Sequence, residues 1–462
     1  MLIRRYKRFL LGLGFFVSAI TAIFSQQDLY ARECKHTYDK SDIRKIQEIM
    51  QRPHQKSKAS RTGYQVSVCE KMVAHWEDTK YRKACKYALN GTCLHYVYSV
   101  TKSVTSAVMG IAIKENINGI QDKSPKQEFQ KIVTLNLGNV AQEYFKNKEV
   151  KDQQKKKAIT LHQLLTMTAG FKWKENSRDA PRWTYNLKED KFTQFTKIRM
   201  KAKNQNRFNY STASADLLSL AVVSKLKCGY GTIQKRVYSL RSIARKFLFE
   251  KMNIYSGIQW EADRMCKYKK ETYMGGTGLY MNHYAIRKFA ELVMNGGRYR
   301  GKELIPKQWL QLSLGKSELL YPSGREVNKW VRELAPQNNI HKRYKKEDIN
   351  LGYGYQWWIV KDSRDKVLYY AAIGVYGQFL AIVPEYSLVV TTTHASSNTL
   401  MEYALRDIGK GRKWKKYMNP FGLFPYFHDR VLQMIAILEQ VGVVIGRNGA
   451  TINRIQTASS TR

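Results

Sequence analysis

Tyr98-Ser99-Val100-Thr101-Lys102 stands at the head of an apolar run, and this stretch constrains the chain more than any other. Val104, Val108, Ile111 and Ala112 follow at helical spacing, and Asn116 to Gly119 ends the run. A helix over these residues puts Ser99 and Lys102, three apart, on one face. A serine hydroxyl is a weak nucleophile until a base takes its proton. A lysine in a dry pocket gives up part of its preference for charge and can serve as that base. Ser99 at the helix start also lies where backbone N–H groups point outward, toward a developing oxyanion. The bland alternative is the solvated first turn of a helix, since serine and lysine are common. The rest of the chain has to decide.

At 462 residues the chain can bury a large core, as one big domain or two intimate ones. Hydrophobic content of 43% and aromatic content of 12% exclude a disordered chain. The 79 Lys and Arg against 37 Asp and Glu give a net charge of +42, which favours anionic surfaces such as nucleic acid, acidic lipid headgroups and cell-envelope polymers. The basic residues form no single block, so simple solubility is an equal reading. Arg4 to Arg8 followed by the apolar run from Phe9 to Phe24 has the form of a secretory signal. Residues 1–31 are therefore a signal peptide, with an uncleaved anchor over 9–24 as the alternative, and the protein is expected to be exported. The six cysteines, Cys34, Cys69, Cys85, Cys93, Cys228 and Cys266, fit disulfides in such a compartment. Cys85 with Cys93 and Cys228 with Cys266 are candidate pairs.

The segment 32–59 reads as a polar lead-in with helical character near Ile43 to Met50. Leu94 to Tyr98 has strand or loop character and runs into Ser99. Thr160 is placed to cap a helix carrying Leu164 and Leu165, with Gly170 as its stop. His162 on that helix reads as a ring satisfied by a neighbour, with a ligand role as the alternative. The polar stretch from Phe171 to Asn206, with Trp173, Trp183 and Tyr185, is either a binding loop or surface decoration. Tyr210-Ser211-Thr212 leads into an apolar helix. A buried tyrosine beside a lysine ammonium has its phenolate favoured and can relay protons, although a core tyrosine with one hydrogen bond is commoner. Gly275-Gly276-Thr277-Gly278 lacks the basic residue of a phosphate loop, so a nucleotide site is rejected. No Cys-x-x-Cys or His/Cys cluster suggests a metal, and no cofactor is expected. Tyr353 to Val360, Val367 to Ala371, Gln378 to Val383 and Ser387 to Thr393 read as strands of an antiparallel meander.

Taken together, Ser99-Val100-Thr101-Lys102, Leu164 to Gly170, Tyr210-Ser211-Thr212, Gly275 to Leu279, Tyr353 to Trp358 and Gly374-Val375-Tyr376-Gly377-Gln378 resemble, in order and content, the serine β-lactamase-related hydrolases. That superfamily includes class C β-lactamases, DD-peptidases, family VIII esterases and 6-aminohexanoate-dimer hydrolases. The resemblance covers roughly residues 60 to 410 and implies an α/β (α+β) fold: an antiparallel sheet flanked by helices, plus a mostly helical subdomain. It places the hydrolase domain at 60–415. Carried over residue by residue, Ser99 is the nucleophile, with Lys102 and Tyr210 as its base partners. Gly374 and Val375 supply the oxyanion loop, and Thr212, Tyr376 and Gln378 line the substrate site. Two departures matter. Thr212 stands where β-lactamases have Asn. Ala372-Ile373-Gly374 stands where the family has Lys-Thr-Gly, so the cation that meets a substrate carboxylate is missing. The resemblance thus implies a small-molecule or peptide-like ester or amide as substrate, ahead of a β-lactam or a DD-peptide. An inactive member that binds cell-wall peptide is a third reading.

The tail, 416–462, ends with Val441 to Gln456, whose Gly446-Arg447-Asn448-Gly449 resembles the Gly-x-x-Gly core of a KH domain. The chain stops six residues later, without the remaining KH strands and helix. Export also weighs against nucleic acid as a partner.

Overall fold

The computed structural model describes residues 40–440 except 52–60, 79–87, 90–91, 117–128, 141–144, 146–149, 176–178, 180–182, 185–188, 190, 224–238, 264–271, 316–320, 335–349 and 395–423. The signal-like residues 1–31 and the KH-like stretch lie outside it, as do Cys34, Cys85, Cys228 and Cys266. Cys69 and Cys93 are both disulfide-bonded.

Seven antiparallel strands form the central sheet. In chain order they are β1 (Arg61–Val68), β2 (Lys71–Glu77), and, after a short inner strand β3 (His95–Tyr96), the late strands β8 to β12. These are β8 (Asn350–Tyr353), β9 (Trp358–Lys361), β10 (Val367–Gly374), β11 (Gln378–Val383) and β12 (Leu388–His394). The spatial order is β8-β9-β10-β11-β12-β1-β2, so the first strand closes against the last, with Tyr64 opposite Thr392. The strand expected over Tyr353 to Val360 is instead a hairpin. Gly354 N–H donates to Trp357 O at 2.9 Å, and Gln356 takes φ 64°, which breaks the run between β8 and β9.

Side chains alternate across the sheet as the pleat demands. Tyr370, Ala372, Leu380 and Ile382 enter one core, while Tyr369, Ala371, Ile373, Phe379, Ala381 and Val383 enter the other. The first core is filled by α2 (Val100–Lys114), α5 (Thr212–Val223) and α6 (His283–Met294). Every α2 residue from Val100 to Ile113 is buried. A helix buried on every face belongs at the centre of a domain, and its polar residues there, Thr101, Lys102, Ser103, Thr105 and Ser106, are buried with it.

The second core is covered by α1 (Lys40–Gln51) and α7 (Phe424–Gln440). Phe424, Phe427, Val431, Met434 and Leu438 of α7 are buried at helical spacing, and Tyr369 Oη lies 2.7 Å from His428 Nδ1. Both helices lie beyond the limits 60 and 415, so the domain draws on the lead-in and on part of the tail.

The segment after Phe171 is also built in. A short strand β4 (Ala169–Phe171) pairs with β5 (Met200–Gln205), with helix α4 (Lys191–Lys197) between them. Thr160 caps α3 (Leu161–Leu165) in a reciprocal box with Gln163. The helix ends at Thr166 and Met167 (φ 61°), and Gly170 (φ +84°) turns the chain inside β4, four residues after the helix has stopped. His162 Nδ1 lies 2.8 Å from Tyr355 Oη, so its ring is satisfied within the fold. Two further strands, β6 (Ile258–Trp260) and β7 (Leu279–Met281), complete a small sheet with β3 in the order β3-β7-β6.

Candidate active site

Tyr98 turns the chain from β3 into α2. It takes φ 47°, a left-handed conformation that costs free energy in a bulky residue. Ring contacts hold it there: Tyr96 at 4.4 Å and Tyr376 at 5.2 Å between centroids. Ser99 is thereby set at the N-cap of α2. A serine there ordinarily bonds a backbone N–H of the first turn. Ser99 makes no such bond, and its Oγ accepts from Lys102 Nζ at 2.9 Å.

Lys102 is almost fully buried, at 1% exposure. Its ammonium also donates to Gly276 O at 2.7 Å and Thr212 Oγ1 at 3.2 Å, and it stands 5.1 Å from the centre of the Tyr210 ring. Burial lowers its pKa from 10.5 to about 8, against the opposing pull of Glu175 and Asp216. Near neutral pH a usable fraction of Lys102 is therefore a free amine.

Tyr210 is hydrogen-bonded to the Ser99 side chain and lies against Trp358, stacked at 5.5 Å, and Trp330 at 5.4 Å. Its burial, followed by the nearby Glu175 charge, pushes its pKa up. The expected phenolate is therefore not favoured. Desolvation outweighs the opposing hydrogen bond with Ser99, and Tyr210 is a neutral phenol that can donate as well as accept.

Two residues missed in the sequence organise this group. Glu175 accepts from Thr212 N–H at 2.9 Å, from the Thr212 hydroxyl, and from Trp173 Nε1 at 2.6 Å. Asp216 accepts from Gly276 N–H at 2.6 Å and Trp183 Nε1 at 2.6 Å. Each carboxylate is held by an indole and reaches Lys102 through one intervening group, Thr212 or Gly276. The two indoles meet edge to face at 6.1 Å. The glycine-rich turn thus positions a lysine. A Cβ at Gly276 would stand 2.8 Å from Thr212 Cγ2 and from Thr212 O, so the carbonyl reaches Lys102 only because the residue is glycine. A legible signal for Asp216 was a lone acid inside the largely apolar helix α5. Glu175 had the weaker signal of Trp173-x-Glu175 inside a polar stretch.

The end of β10 abuts the same corner. A Cβ on Gly374 would meet Val97 O at 2.6 Å, two residues before Ser99. Val375 is buried in the following turn, and Tyr376 (φ 64°) lays its ring on Tyr98. Ser99, Lys102, Tyr210, Thr212, Gly374 and Tyr376 are thus gathered in one region. Gln378 is turned elsewhere. Its amide Nε2 donates to His394 O at 2.9 Å, and its Oε1 accepts from His394 N–H at 3.4 Å.

Residues 46–233 match the Beta-lactamase family model. That stretch is similar to the serine β-lactamase-related family. No curated protein matches the sequence. Among solved structures, a provisionally assigned 6-aminohexanoate-dimer hydrolase from Bacillus anthracis superposes with a TM-score of 0.53 at 15% identity, covering 82% of this chain and 80% of that one. A provisionally assigned beta-lactamase from Bacteroides dorei gives 0.50 at 14% identity, covering 78% and 91%. At such identities the likeness is one of fold alone. The expected β-lactamase/transpeptidase-like architecture is the one observed: an antiparallel sheet between flanking helices.

Proposed function

We propose that the protein is a serine hydrolase that cleaves an ester or linear amide through an acyl-enzyme on Ser99. The observation that carries this is the contact of Lys102 Nζ with Ser99 Oγ at 2.9 Å, in surroundings that bring the lysine pKa down to about 8. In the proposed cycle, neutral Lys102 accepts the Ser99 proton as Oγ attacks the substrate carbonyl. The N–H groups of Ser99 and Val375 receive the oxyanion, each contributing about 3 kcal/mol. The proton returns through the Tyr210 hydroxyl to the departing alcohol or amine. Water then attacks the acyl-enzyme by the same route in reverse, releasing the acid and restoring Ser99. Ala372, buried in the sheet, offers no cation to a substrate carboxylate, which supports esters and linear amides over β-lactams and D-Ala-D-Ala peptides.

The deciding experiment compares wild type and Ser99→Ala on p-nitrophenyl esters, nitrocefin and D-Ala-D-Ala peptides. Ester turnover lost in the variant, with the fold intact by circular dichroism, is the expected result. Retained turnover sinks the assignment, and nitrocefin or peptide as the better substrate reverses the specificity.

Export is part of the same proposal. The disulfide bonding of Cys69 and Cys93 supports an oxidising compartment. No described helix is long and apolar enough to cross a membrane.

A further inference from the structure

Away from Ser99, three ligand-type side chains from distant parts of the sequence converge: Glu77 at the end of β2, His95 on β3 and His283 at the start of α6. One donor atom from each lies within 4.8 Å of the other two. His95 is 1% exposed and His283 6%, while Glu77 is partly open to solvent. The two rings stand 4.5 Å apart between centroids.

A pair of threonines backs the imidazoles. Thr62 Oγ1 lies 3.4 Å from His95 Nδ1, Thr393 Oγ1 lies 3.2 Å from His283 Nε2, and the two hydroxyls are 2.8 Å apart. These contacts orient each ring and assign the opposite nitrogens, His95 Nε2 and His283 Nδ1, to the cluster. His95 Nε2 is 4.0 Å from Glu77 Oε1. Metal-bound histidines ordinarily have such a partner on the other nitrogen, fixing tautomer and ring angle. Space for the arrangement is built into β1: a Cβ at Gly63 would fall 2.2 Å from His283 Nε2. Neutral imidazole is the form that ligates.

We propose that Glu77, His95 and His283 form a binding site for a divalent transition-metal ion, with Zn²⁺ the best match to two imidazoles and a carboxylate. Bonds of about 2.1 Å require the three donor atoms to close to about 3.4 Å of one another, a side-chain adjustment. The bound ion ties the edge strand β2 and the inner strand β3 to the head of α6. Since β3 runs directly into Tyr98 and Ser99, the ion steadies the approach to the nucleophile without touching it. A fourth ligand position is left for water.

The test uses tag-free protein, stripped with EDTA and titrated with Zn²⁺ by calorimetry and with Co²⁺ by visible absorption. The wild type is expected to take up one equivalent, to melt at a higher temperature with Zn²⁺ than with EDTA, and to show d–d bands with Co²⁺. Glu77→Gln and His283→Gln are each expected to weaken binding at least roughly tenfold, and Thr62→Val roughly tenfold through loss of ring orientation. No uptake by the wild type overturns the proposal, as does uptake unchanged in both ligand variants. Should His283→Gln fail to fold, Glu77→Gln on the edge strand and the wild-type Co²⁺ spectrum decide.

Discussion

Lys102 Nζ stands 2.9 Å from Ser99 Oγ, and its charge is compensated only at one remove, by Glu175 through Thr212 and by Asp216 through Gly276. Burial therefore prevails over the carboxylates and the pKa falls to about 8. The amine must be neutral to take the serine proton. On a p-nitrophenyl ester, kcat/KM should rise with pH along a limb centred near pH 8. Corrected for spontaneous hydrolysis, a profile flat from neutral pH to beyond that point would remove Lys102 from the role of base.

Glu175→Gln separates positioning from chemistry. The amide retains an acceptor for Thr212 N–H but loses the charge that favours the Lys102 ammonium. The acid limb of the pH–rate profile should move to lower pH, because Glu175 is the first of the groups that raise the Lys102 pKa. A kcat loss of roughly tenfold with little change in KM is expected, since the interaction bears on the transition state. An unshifted limb would mean that Glu175 only supports the loop.

Gly276→Ala is expected to be more damaging than its size suggests. The added methyl would sit 2.8 Å from Thr212 Cγ2 and Thr212 O, and the backbone atom cannot swing aside. Relief requires the turn to retreat, taking with it the carbonyl that holds Lys102 at 2.7 Å. Overpacking of this kind costs about 1–3 kcal/mol. Urea titration should show that loss alongside reduced kcat, and a variant with wild-type turnover would show that the Gly276 contact is dispensable.

The parts of this fold that were legible carry a strong local signal. Val100 to Ile113 spells a buried helix, and Gln378 to Val383 spells a strand buried on both faces. Ser99 and Lys102 were readable because helical geometry alone brings i and i+3 together. Tyr210, Thr212 and Gly374 were readable only through motifs of the resembled family, and residues joined by tertiary structure without such a motif were not. Glu175 lies 37 positions from Thr212 in a polar stretch whose two tryptophans look like surface decoration until each indole is seen to hold a carboxylate. The same limit hid Glu77, His95 and His283. The tyrosine argument failed for a different reason: proximity to an ammonium was legible, but the depth of burial that keeps the phenol neutral was not. Tyr353 to Val360 was misread because an apolar aromatic run has the same composition whether it is one strand or a hairpin.

Phe427→Ala tests whether the late helix is part of the domain. Phe427 is 2% exposed and lies against Phe379 of β11, with ring centroids 4.9 Å apart. Truncating a buried phenylalanine costs about 3–5 kcal/mol. A single urea transition moved to lower concentration is expected, with the pH–rate profile unchanged. An unmoved midpoint would mean that the helix contributes nothing to the sheet it covers.

Lys102→Met gives the thermodynamic counterpart of the pH–rate limb. Between pH 8 and 10.5 the unfolded chain holds a proton on Lys102 that the folded chain has released. Unfolding therefore takes up protons in this window, and wild-type stability gains from rising pH through this group. The burial penalty is fully present below pH 8 and fades by 10.5, a swing of about 3 kcal/mol. Methionine has no proton to release, so the variant lacks this contribution. Its loss of the hydrogen bonds to Gly276 and Thr212 is a constant offset, independent of pH. The stability difference, variant minus wild type, should fall steadily across the window, while other lysines, including the buried Lys156, cancel in the subtraction. Urea midpoints taken in pairs at several pH values measure it. A difference that stays constant from pH 8 upward would show that Lys102 keeps its ordinary pKa in the fold and is not the base that activates Ser99.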